Sequence, residues 1–103
     1  MGFIVSFVAA AALAATTPDP ASPQAGRALA SRSCGGCHAI GARGASPHGK
    51  APPFRQVMQR KSPDDLRQAL TDSFFVAHPV MPKFVLKPEE VEGLIAYLTT
   101  LKR

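Results

Sequence analysis

The segment Cys34-Gly35-Gly36-Cys37-His38 constrains this chain more than any other stretch. Two thiols three positions apart, followed at once by an imidazole, form the C-x-x-C-H pattern that reads as a site for covalent attachment of haem. The spacing serves the chemistry. Each thiol can add across one of the two haem vinyl groups when Cys34 and Cys37 sit about one helical turn apart on one side of the macrocycle, and His38 then brings a ring nitrogen to the iron from that same side. Gly35 and Gly36 carry no side chains that would hold the porphyrin edge off the backbone. A redox dithiol of the thioredoxin kind needs strand-helix-strand surroundings, which the flanking sequence lacks. A zinc site would have to recruit His38, His48 and His78 at irregular spacings, with no second pair of cysteines.

The chain has 103 residues, room for one domain. Residues 1–15 are almost wholly apolar, carry no charged side chain and end in Ala12-Leu13-Ala14-Ala15, an h-region followed by an A-x-A-like cleavage site. The run is short of the ~20 residues a bilayer-spanning helix needs. We therefore expect a signal peptide over 1–15, a proline-rich linker over 16–22 and one domain over 23–103, with a short membrane anchor as the alternative if the segment is retained. A mature chain of about 88 residues buries only about 60–65% of the surface its unfolded form exposes, so its own core is marginal. A macrocycle bonded at Cys34, Cys37 and His38 would supply the missing interior, and the haem-free chain is expected to be largely unfolded. Twelve Lys and Arg against seven Asp and Glu leave a net charge of +5. That charge serves either surface solvation or steering toward an acidic docking face on a redox partner. No stripe of basic and aromatic residues speaks for nucleic acid, and Trp is absent.

Helical signals dominate the rest. Ser22 and Pro23 form an N-cap and N1 pair that opens a helix to about Ser33, with Ala25, Ala28 and Leu29 on one small face. Residues 41–50 are a loop by their glycines and proline, long enough to do or to wrap something. Pro52-Pro53 delays the next helix to Phe54, whose apolar face is Phe54, Val57 and Met58. Ser62-Pro63-Asp64-Asp65 starts a third helix like a capping box, continued by Leu66, Ala69 and Leu70 to about Ser73, with Phe74-Phe75-Val76 at its exit. Prolines bracket the stiff segment His78-Pro79-Val80-Met81-Pro82-Lys83-Phe84. Lys87-Pro88-Glu89-Glu90 opens the last helix, where Val91, Leu94, Ile95, Leu98 and Leu101 make an amphipathic stripe. Four helices, no convincing strand and no internal repeat make the class all-α.

His38 fills one of the two axial positions of a haem iron, and Met81, Met58, His48 and His78 compete for the other. Met81 sits between Pro79 and Pro82 on a rigid non-helical segment, the context that points a sulfur inward, with His78 as its rival. Met58 lies on a helical apolar face and reads as core, and His48 reads as solvent-exposed. A thioether is a soft ligand that favours ferrous iron, so His and Met ligation raises the reduction potential and closes the iron to water and substrates.

At this point the chain resembles a small bacterial class I cytochrome c over about residues 21–103. It shares Gly26 in a helix before Cys34-Cys37-His38, the segment Ala51-Pro52-Pro53-Phe54, the loop Val80-Met81-Pro82-Lys83-Phe84 and a last helix ending Ala96-Tyr97-Leu98-Thr99-Thr100-Leu101, with 43 residues from His38 to Met81. The resemblance implies a cytochrome c fold of about four helices wrapped around one haem c, covalently held by Cys34 and Cys37 with His38 and Met81 on the iron. It implies that Gly26 lets the first helix cross the last against Tyr97, that the Pro52 carbonyl accepts from the His38 ring, and that Phe54, Phe84 and Leu98 line the haem pocket. It further implies a periplasmic one-electron carrier, with no catalysis of its own, that meets a donor and an acceptor protein. The alternative is the haem-bearing subunit of a periplasmic dehydrogenase.

Overall fold

A computed structural model of the chain describes residues 2–7, 19–71, 81 and 85–102. Among them the regular structure is four helices: α1 (Pro23–Ser33), α2 (Phe54–Arg60), α3 (Pro63–Thr71) and α4 (Pro88–Thr100). The apolar run 74–76 and most of the loop 78–84, His78 and Phe84 included, lie outside the described residues, as do residues 8–18 at the end of the expected signal and the start of the linker.

Three of the four helices open on a local side-chain hydrogen bond, while α2, behind Pro53, has none. Ser22 Oγ accepts from Ala25 N–H at 3.1 Å ahead of Pro23. Ser62 and Asp65 form a reciprocal pair at the start of α3: Ser62 Oγ accepts from Asp65 N–H at 3.1 Å, and Asp65 Oδ2 accepts from Ser62 N–H at 3.2 Å. At α4, Glu90 Oε1 reaches back to accept from Lys87 N–H at 3.0 Å, with Pro88 at the first position.

The closest packing joins the first helix to the last. A Cβ added to Gly26 would overlap the carbonyl of Gly93, and one added to Gly93 would overlap the carbonyl of Pro20, so at this crossing the two backbones touch directly. The expected close crossing at Gly26 is thus present, with Gly93 and Leu94 nearest to it. One expectation is corrected. The face of α1 turned inward is Gly26, Leu29 and Ala30, while Ala28 is exposed and Ala25 half-buried. The helix is rotated by about one residue, because the crossing needs its glycine at the contact. From α4 the stripe Val91, Leu94, Ile95 and Leu98 is buried, together with Gly93 and Tyr97. Leu29, Ala30, Phe54, Met58, Leu94, Tyr97 and Leu98 make one core cluster.

The third helix packs differently. It buries none of its residues; Leu66, Ala69 and Leu70 are only half-buried. Leu66 and Leu70 rest against the core cluster, and a polar tie reaches α4: the Arg67 guanidinium donates to Glu92 through Nε at 2.6 Å and also pairs with Asp64 in its own helix. These groups are exposed, so the pairs orient α3 more than they stabilise it.

Candidate functional site

The motif begins as the end of α1. Cys34 caps that helix, donating its N–H to Ala30 O at 2.8 Å. Its own carbonyl then accepts from Cys37 N–H at 3.2 Å and from His38 N–H at 2.9 Å. The five residues thus complete one further helical turn, and in such a turn positions i, i+3 and i+4 share a side. Cys34, Cys37 and His38 hold those positions. The two glycines between them have different duties. A Cβ on Gly35 would lie 2.9 Å from Ser31 O, so the turn folds tightly under the end of α1 only with glycine there, whereas a Cβ on Gly36 meets nothing within 4 Å.

Five contacts fix the backbone and ring that follow. His38 Nδ1 lies 2.7 Å from Pro52 O. A carbonyl only accepts, so Nδ1 carries the proton and Nε2 keeps its lone pair. The Phe54 ring packs beside the imidazole, tilted by 35° with centroids 4.9 Å apart, and Phe54 N–H donates to Ala39 O at 2.9 Å. Pro52-Pro53 makes this possible: fixed φ angles and two missing N–H groups leave the Pro52 carbonyl free to face His38 and delay α2 to Phe54. Ser46 Oγ accepts from Ala39 N–H at 3.0 Å, and the Tyr97 hydroxyl donates to Ile40 O at 2.6 Å, tying α4 to the strand of chain just past His38.

Loop 41–50 wraps the motif. His48 N–H donates to Cys37 O at 3.1 Å, and Gly44 takes a positive φ of 96° that allows the chain to turn back. The His48 ring, expected in solvent, is half-buried and accepts at Nδ1 from Lys50 N–H at 3.1 Å. No signal in the local sequence marks that closed turn beyond its glycines.

The two thiols are free and unequal. Cys37 is exposed, while Cys34 is half-buried and burial pushes its thiol up from the ordinary value. Of the methionines, Met58 is 2% exposed within the core cluster and Met81 is half-buried in a bend. Leu98 is buried in the same cluster as Phe54. Between α2 and α3 lies a cavity of about 420 Å³ with an apolar wall of Pro52, Val57, Leu66 and Ala69. Among the described residues no three His, Cys, Asp or Glu side chains stand together as a metal site, and no helix is long and apolar enough to cross a membrane.

A sequence model of the family described as Cytochrome c matches residues 23–102. The chain belongs to the cytochrome c family. Nothing among curated proteins or solved structures matches it. The cytochrome has the all-α fold of that family, binds covalently attached haem c and serves electron transfer. The residues present suit such a group chemically: two free thiols and an imidazole lone pair in one turn, in a protein whose helix α3 leaves its apolar side chains half-covered.

Proposed function

We propose that this cytochrome is a periplasmic one-electron carrier, with haem c bonded to Cys34 and Cys37 and its iron ligated by His38 and Met81. Haem c supplies an iron that alternates between ferrous and ferric states. The rest is the work of side chains. His38 presents Nε2 while Pro52 holds Nδ1–H, which fixes the ring and makes it a stronger base toward metal. Met81 is half-buried, and its thioether, as a ligand to the iron, would raise the potential and keep water from it. Phe54 packs against the imidazole and keeps solvent from the His38 side. Cys37 is exposed, so a haem edge attached there would be open to donor and acceptor proteins, and the excess of cations would steer acidic docking faces toward the protein.

The observation that carries this reading is the hydrogen bond between His38 and Pro52, which sets the ligating tautomer in the same turn as both thiols. Met81→Ala tests the ligand set. It is expected to abolish the far-red absorption of ferric iron bonded to sulfur and to let the reduced protein bind carbon monoxide, which the parent is expected to refuse at neutral pH. A variant that keeps the band moves the ligand to another residue.

A further inference from the structure

The cavity between α2 and α3 has a rim as well as a wall. Arg60 and Lys61 line it from the end of α2, and Gln68 lines it from α3. We propose that Arg60 and Lys61, with Gln68 as a neutral donor, bind the propionate groups of the haem. The inference rests on the haem attachment proposed above.

Three observations converge on it. Vinyl and propionate substituents occupy opposite halves of a porphyrin, so fixing the vinyl edge at Cys34 and Cys37 sends the carboxylates away from the end of α1. Pro52 joins the two ends of that span, since its carbonyl holds His38 and the residue also forms part of the cavity wall. The wall itself, with Val57, Leu66 and Ala69, is apolar and suits the flank of a macrocycle, while the cations stand at its border.

The acids nearby are already engaged. Asp65 lines the cavity too, but its carboxylate caps α3 by accepting from Ser62 N–H, and that bond holds it below the usual carboxylate range. Asp64 and Glu92 both pair with Arg67. Among the described residues, Arg60 and Lys61 make no ion pair. Asp65 also feels the charge of Lys61, so among the described residues the cavity carries two cations against one carboxylate that Ser62 already engages, and this surplus beside an apolar slot suits a ligand that is flat, greasy and doubly anionic at one edge.

The test uses haem-loaded protein and the pH dependence of its midpoint potential. A propionate holds its proton more tightly when the iron is ferrous, so its ionisation appears as a step in that profile. In Arg60→Gln combined with Lys61→Gln the apparent pKa of the step is expected to rise by about one unit or more, roughly ten-fold in proton affinity, because an opposite charge at close range is lost. Lys61→Arg keeps the parent profile, and Arg27→Gln, which removes the same charge from the exposed side of α1, does not move the step. A double variant with an unmoved step overturns the proposal. So does a step that moves in Arg55→Gln instead, which would assign the carboxylates to Arg55, whose Nη1 is buried without a hydrogen-bond partner. A pyridine haemochrome spectrum of each variant separates the readings: two saturated vinyl groups with an unmoved step leave the attachment intact and remove only the propionate site.

Discussion

The crossing of α1 and α4 and the slot between α2 and α3 are built on opposite principles. At the crossing, Gly26 and Gly93 bring two backbones into contact, and Leu29, Ala30, Leu94 and Leu98 close around them, so protein packs on protein with no room left. By contrast α3 carries Leu66, Ala69 and Leu70 on one face and rests Leu66 and Leu70 against the core cluster, yet buries none of them, and its polar tie to α4 is one exposed ion pair, Arg67 with Glu92. An amphipathic helix gains its stability by covering its apolar face. The difference teaches that one half of this cytochrome is completed by its own chain, and on the reading proposed above the other is completed by haem c.

Substitutions at the crossing test the first half with the largest expected effect. Gly26→Val pushes a branched side chain into the Gly93 carbonyl, where no rotamer relieves it, and should cost about 3 kcal/mol or more in denaturant titration of the haem-loaded protein. Gly36→Ala, with open space around it, should stay within about 0.5 kcal/mol. Equal effects at the two glycines would break the contrast. On the cofactor side, Leu66→Ala should cost about 2 kcal/mol in the haem-loaded protein. The same change should leave amide exchange of a haem-free Cys34→Ala, Cys37→Ala chain unaltered; equal loss in both would mean that α3 packs without help.

Smaller effects sharpen the boundary between the halves. Tyr97→Phe removes the hydroxyl that ties α4 to Ile40 O, worth about 1 kcal/mol of stability by the same titration, and should leave haem attachment unchanged. The smallest is an acid effect. The Asp65 carboxyl is held low first by the Ser62 N–H and then by the Ser62 side chain, so its contribution is present above the ordinary Asp value of 3.8 and is lost as pH falls through the lowered one. Below about pH 4 the first turn of α3 should fray, seen as faster amide exchange there, and Asp65→Ala should show the same fraying at neutral pH.

Much of this was legible in the residues, and the gaps have physical causes. Strong periodicity marks α4, because Val91, Leu94, Ile95 and Leu98 are large and apolar and leave one orientation open. Ser62 and Asp65 announce the start of α3 by local hydrogen bonds alone. The face of α1 was not legible from hydrophobicity, because its central contact is made by Gly26, a residue with no side chain to score. The usable signal was a pair of mid-helix glycines, Gly26 and Gly93, each of which costs its helix about 1 kcal/mol and so calls for a packing reason. The bond from Tyr97 to Ile40 spans 57 residues and leaves no local trace. The cavity cations were present as charges, but only the fold places Arg60 and Lys61 beside Val57 and Leu66.

The central claim is that the turn after α1 carries haem c through both of its thiols. A pyridine haemochrome spectrum of protein purified from its own host tests this directly. The account predicts the spectrum of a haem with both vinyl groups saturated, staying with the polypeptide through acidified organic solvent. A colourless protein, or a haem that the solvent extracts, would contradict it.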